Sequence, residues 1–106
     1  MPTDVNPPLE LVHGYPRLTI TPHLTRVSVP AVHGRSRHVF ATAALIIRTD
    51  LERRAGTINQ RWTGRPRIAD DGRISIVLAD RNFRRRHKIT VTPEDIAVHL
   101  HGRANA

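Results

Sequence analysis

Residues 73–102 read RISIVLADRNFRRRHKITVTPEDIAVHLHG, and this stretch decides the fold. Ile74, Ile76 and Leu78 alternate along one face of a strand, and Ile89 and Val91 continue such a face after the turn Asp80-Arg81-Asn82-Phe83. The pattern predicts a β-hairpin with two unlike sides. One is apolar; the other carries Arg73 and Ser75 on the first strand and Arg84, Arg86, Lys88 and Thr90 on the second. Thr92-Pro93-Glu94-Asp95 then starts a helix: Thr92 suits the N-cap, Pro93 the first helical position, and two acids meet the positive end of the helix dipole. Ile96 and Leu100 would pack on the apolar side of the hairpin, and Gly102 would end the helix near residue 101.

Working outward from the hairpin, residues 70–72 (Asp-Asp-Gly) form a turn preceded by the short extended piece Arg65-Pro66-Arg67-Ile68. Before that, Thr49-Asp50-Leu51-Glu52 fits a capping box, with Leu51, Ala55, Ile58 and Trp62 on one helical stripe and Gly64 as the stop. A helix over about 50–63 is expected, weakened by Gly56 in its middle. Residues 39–47, VFATAALII, are apolar on both faces, which suits a central strand; a helix beginning near Ala43 and adding Ile47 to the stripe is the competing reading. Residues 32–37 read as a loop.

Pro16, Pro22 and Pro30 bound two short alternating runs, Leu18 with Ile20 and Val27 with Val29, placing them at strand ends or a sheet edge. Residues 1–13, with Pro2, Pro7 and Pro8, show no periodicity and read as a flexible N-terminal arm ahead of one α+β domain over 14–106. The order of elements, strands followed by a Thr-capped helix, occurs twice, although the spacings between matching landmarks differ. The expected fold is therefore α+β, with antiparallel hairpins and two short helices, about 50–63 and 93–101.

Charge separates the function classes. The 106 residues carry a formal net charge of +8, and all of it lies beyond residue 34, where 15 basic residues face 7 acidic ones. Arg81, Arg84, Arg85, Arg86 and Lys88 crowd into eight residues without an acid; such a run repels itself unless an anion neutralises it. All basic residues but Lys88 are Arg, the side chain suited to bidentate phosphate and base contacts. A two-stranded ribbon can enter the DNA major groove. Arg73, Arg84, Arg86 and Lys88 are then the bound-face candidates, with Arg65, Arg67, Arg81 and Arg85 as phosphate contacts. Tyr15, Phe40, Trp62 and Phe83 are the only aromatic residues, too few for a single-strand stacking platform, so duplex DNA or structured RNA is favoured.

The segment Leu51-Glu52-Arg53-Arg54-Ala55-Gly56 followed by Arg61-Trp62, a basic hairpin and a short helix loosely resembles excisionase or MerR-type winged helix-turn-helix proteins. The interval from Gly56 to Trp62 is too short for a turn plus a recognition helix, and none is assigned. Ile74 to Arg86 faintly resembles the central strands of RelE-like ribonuclease toxins, a family whose two leading helices are here replaced by Pro-bounded strands. The seven histidines with many arginines are also compatible with metal-independent RNA cleavage, with His38 and His87, beside Arg37 and Arg86, as the candidates. His99 and His101 cannot share a metal on a helix, where they point about 200° apart.

No catalytic residue, metal site or cofactor is assigned, and the chain reads as non-enzymatic. The leading expectation is a small nucleic-acid-binding accessory or regulatory protein; the alternative is an inhibitor or phage-like assembly protein docking on an acidic partner. Without cysteine, disulfides and thiolate chemistry are excluded. The apolar runs are too short for a membrane span and the N-terminus lacks signal-peptide character, so a cytoplasmic protein is expected. Open strand edges are compatible with a homodimer.

Overall fold

The computed structural model describes residues 7–30 and 34–104. The elements run β1 (Leu9–His13), β2 (Arg17–Ile20), β3 (Thr25–Val29), α1 (Gly34–Ala55), β4 (Trp62–Gly64), β5 (Arg67–Ile68), β6 (Ile74–Asp80), β7 (Arg86–Val91) and α2 (Pro93–Ala104). The fold is α+β: one mixed sheet with α1 and α2. Its seven strands make six ranks, because β4 and β5 lie end to end along one edge of β6, pairing with its opposite ends, while β7 takes the other edge. The ranks run β1, β3, β2, β4 with β5, β6, β7. Only the β1–β3 contact is parallel.

The hairpin of β6 and β7 forms with the expected faces, but its turn extends through Arg85, so Arg84 lies on the turn and not on the second strand as expected. Ile74 faces Val91 and Ile76 faces Ile89 on the core side, while Ser75, Val77 and Ala79 face Thr90, Lys88 and Arg86 on the other. The helix start at Thr92 also forms as read. Thr92 N–H donates to Asp95 Oδ2 at 2.9 Å and Asp95 N–H donates to Thr92 Oγ1 at 3.0 Å, a reciprocal box that satisfies two backbone amides. Ile96 packs against the core, but Leu100 is exposed, and the helix continues through Gly102 to Ala104.

The first helix differs from its expected position. Residues 39–47 are helix rather than strand, and α1 begins at Gly34, inside the segment read as a loop. Its buried stripe is Phe40, Ala43, Ala44, Ile47 and Leu51, an i, i+3, i+4 pattern that continues the competing reading toward the N-terminus. The polar side that normally betrays a helix is missing over 39–47 because α1 has neighbours beyond the sheet. Thr42, Leu45 and Ile46 are half-buried, and Ile46 also faces the hollow beside α2. Thr49 is no N-cap; it sits mid-helix with its hydroxyl donating back to Leu45 O at 3.1 Å.

The helix expected over 50–63 therefore ends at Ala55. Gly56, at φ 84°, takes the left-handed position just past the helix, its N–H donating to Glu52 O at 2.9 Å. Ile58 and Trp62 still reach the core, but from the following loop and from β4. Gly64 is not a helix stop either. It lies in β4 where a Cβ would come within 2.3 Å of Val77 O, so the bare backbone is what lets the strands close. Of the arm expected over 1–13, residues 9–13 are an edge strand and residues 1–6 lie outside the described residues. No helix of the described residues is long and apolar enough to cross a membrane.

Candidate nucleic-acid interface

Strand alternation sorts side chains onto two faces. Leu18, Ile20, Val27, Val29, Trp62, Ile74, Ile76, Leu78, Ile89 and Val91 point to the side covered by α1 and are buried. Among the described residues no helix lies over the opposite face. Along β6 it shows only Ser75, Val77 and Ala79, all small, and these form the floor of a trough. One wall is β7, with Arg86 opposite Ala79 and Lys88 opposite Val77. The other is β4 and β5 with the residues between them: Arg67 stands opposite Ser75, and Arg65 falls in the same alternation between Thr63 and Arg67.

Beyond β4, the register of β2 adds Arg17, whose Nη1 reaches Thr63 Oγ1 at 3.5 Å. The trough consists of two hollows. One of about 510 Å³ is bounded by Arg65, Arg67 and Lys88, and one of about 350 Å³ by Arg17, Arg65, Arg86 and Phe83; Arg65 and Val77 line both, making them continuous.

The cations of this trough carry no counter-charge. Several arginines elsewhere are matched: Arg26 with Glu10 at 2.6 Å, Arg73 with Asp71 at 2.8 Å, Arg54 and Arg53 with Asp50 at 3.0 and 3.5 Å, Arg48 with Glu52 at 3.3 Å; Arg81, Arg84 and Arg85 near the adjacent turn, like Arg37 and Arg61, are not matched among the described residues. Among the described residues, Arg17, Arg65, Arg67, Arg86 and Lys88 make no ion pair. The one acid on the open side of the described strands is Glu10, at the far edge. The Arg26 hydrogen bond, against an opposing desolvation effect and with help from the Arg26 charge, holds the Glu10 carboxyl below its ordinary range. Five unpaired cations around a floor of small side chains attract a chain of anions and leave room for it.

Of the residues expected to bind, Arg65, Arg67, Arg86 and Lys88 converge on this trough. Arg73 does not; it closes the preceding turn, its N–H donating to Asp71 Oδ1 at 3.2 Å while its guanidinium pairs with the same carboxylate. Arg81 and Arg84 are exposed on the turn between β6 and β7. Arg85 turns toward the covered side, its Cζ 5.6 Å from the Trp62 ring centroid, a cation–π contact. Arg17 was not among the expected residues. It joins through the pairing of β2 with β4, a contact between residues about forty-five apart that no local pattern announces.

The histidines do not form an acid–base pair. His38 is exposed in α1, whereas His87 is half-buried on the covered side of β7 against Trp62, ring centroids 5.5 Å apart and tilted 52°. A hollow of about 530 Å³ lies between α1, β7 and α2, but its Arg53 and Arg54 are already matched by Asp50, and Asp95 lines it too. It offers a polyanion no comparable field. Among the described residues no three His, Asp or Glu side chains gather as metal ligands. In comparison with known proteins, no family model, no curated protein and no solved structure matches this chain.

Proposed function

We propose that this protein is a small nucleic-acid-binding accessory or regulatory protein that holds one sugar-phosphate strand of duplex DNA or structured RNA in the trough along β6. The observation that carries the reading is the set of five unpaired cations, Arg17, Arg65, Arg67, Arg86 and Lys88, around the small floor of β6. The walls on β4 with β5 and on β7 are two strand spacings apart, about 10 Å, which admits one backbone but not a duplex. The sheet as a whole spans five spacings, about 24 Å, twice the width of a major groove. Insertion of the whole face into DNA is therefore excluded. The edge hairpin alone can follow a groove, with Arg81 and Arg84 on its turn as outlying phosphate contacts. Contacts of this kind position a protein on nucleic acid and carry little base information.

Five phosphate contacts predict a log–log salt slope near −4.5 on duplex DNA. Fluorescence anisotropy of a labelled duplex titrated with protein at several salt concentrations measures it. Charge reversal of Arg65 and Lys88 to Glu should weaken binding at least about thirtyfold, since it removes two contacts and adds two repulsions. Arg53→Glu, on the helix-covered side, should change it little. Equal losses from both, or no binding at low salt, would sink the reading and leave docking on an acidic protein as the use of these arginines.

A further inference from the structure

Phe83 sits on the turn between β6 and β7 with φ 57°, the one positive φ outside glycine among the described residues. Aromatic side chains rarely accept this left-handed conformation, and Asn, which tolerates it better, stands one position earlier at Asn82. The turn is held there by one residue. Phe83 N–H donates to Asp80 O at 3.0 Å, and the buried Asp80 carboxylate accepts from Arg84 N–H at 2.9 Å and Arg85 N–H at 3.3 Å.

A strained aromatic residue normally repays its strain by filling a core. Phe83 does not: it is 64% exposed. It instead borders the 350 Å³ end of the trough, a hollow that Arg17, Ala79 and Arg86 line with it. Ala79, on the open face, is only 8% exposed. The ring thus borders a cationic hollow with much of its surface in solvent.

We propose that Phe83 is a stacking post for a single unpaired nucleobase, which makes the preferred ligand a nucleic acid with a bulged, looped or junction base rather than an uninterrupted duplex. This rests on the phosphate-trough reading above. Arg17 and Arg86, on opposite walls, hold the phosphates flanking the unstacked nucleotide, and its base turns onto the Phe83 ring. One exposed ring serves one base, which reconciles the aromatic-poor composition with base contact. Stacking of this kind is indifferent to base identity because every base has a π-face.

The test uses the full chain and three labelled probes: a short intact duplex, the same duplex with a one-base bulge, and the same bulge made abasic. Wild type should bind the base-containing bulge about tenfold more tightly than the other two. Phe83→Gly should lose that preference and bind the three probes alike, and melt at an equal or higher temperature because glycine relieves the strained φ. Phe83→Trp should retain the preference. The inference is overturned if wild type binds all three probes alike, or if Phe83→Gly keeps the bulge preference. Failure to bind any probe overturns the phosphate-trough reading as well, so the two failures are distinguishable.

Discussion

The two hairpins are closed by turns held on opposite chemical principles. Between β2 and β3, the turn at residues 21–24 shows its carbonyls inward, and a buried cation gathers them. Arg48 of α1, 7% exposed, donates to Thr21 O at 2.8 Å, Pro22 O at 3.3 Å, Leu24 O at 3.4 Å and Thr25 Oγ1 at 3.0 Å. Between β6 and β7, the turn at residues 81–85 shows its amides inward, and a buried anion gathers them: Asp80, 5% exposed. The first turn closes a local bond, Thr21 N–H to Leu24 O at 2.8 Å, and draws in addition on a helix side chain; the second is self-contained. That difference explains where charge can accumulate. An inward carboxylate partly offsets the repulsion among Arg81, Arg84, Arg85 and Arg86, whereas the first hairpin has its exposed Arg26 neutralised by Glu10.

Removing the cation should have the largest effect. Arg48→Met keeps the apolar stem but takes their Arg48 donor from Thr21 O, Pro22 O and the buried Thr25 hydroxyl, while Leu24 O keeps the Thr21 N–H at 2.8 Å. A loss of about 3 kcal/mol is expected, or roughly 12 °C in Tm, read by thermal and denaturant unfolding. A loss under about 1 kcal/mol would show that the first turn holds itself, as the second does, and would end the contrast. Next comes the seam between the hairpins. Leu18 of β2 pairs with Gly64, and Val77 O of β6 crowds its other side, so Gly64→Ala must part β4 from β6. About 2 kcal/mol should be lost, with nucleic-acid affinity falling too because Arg65 moves away from Val77.

Asp80→Ala removes both the acceptor and the charge and should cost about 2 kcal/mol, whereas Asp80→Asn keeps an acceptor for Arg84 N–H and should cost about half as much. If the alanine and asparagine variants lose equally, charge rather than the hydrogen bonds holds the second turn. This pair of measurements separates the two contributions that the comparison joins.

The same contrast marks what could be read from the sequence. The second hairpin was legible because its elements are local: Ile74, Ile76 and Leu78 alternate, and Thr92 to Asp95 cap a helix within four residues. The first helix was not, since its middle is shielded on more than one side and residues 39–47 show no polar stripe, while β-branched Val39, Ile46 and Ile47 mimic a strand. Gly64 reads identically as a helix stop and as a close strand approach. Four of the five trough cations were visible in the same way. Arg86 and Lys88 follow from hairpin alternation, and Arg65 and Arg67 from their place just before it. Arg17 enters only through strand order, and the pairing of Arg73 with Asp71 removes a residue that alternation alone assigns to the face.

The smallest effect concerns the neutralised arginine of the first hairpin. Because the Arg26 hydrogen bond lowers the Glu10 pKa from its ordinary 4.5, this pair supports the folded state above that pH, and the support is lost as pH falls through the lowered value. The stability gap between wild type and Glu10→Gln, measured by urea unfolding across the acid range, should therefore be constant near neutrality and close on acidification. A gap that widened toward acid pH would contradict the direction of the shift. Glu10→Gln at neutral pH also releases Arg26 onto the open face, one rank beyond Arg17. If neutralisation is what confines binding to the β6 trough, the duplex salt slope should steepen by up to about 0.9, one further phosphate contact. An unchanged slope would place the limit in the reach of the bound strand, which ends at β2, and would leave the two hairpins distinguished by geometry rather than by charge.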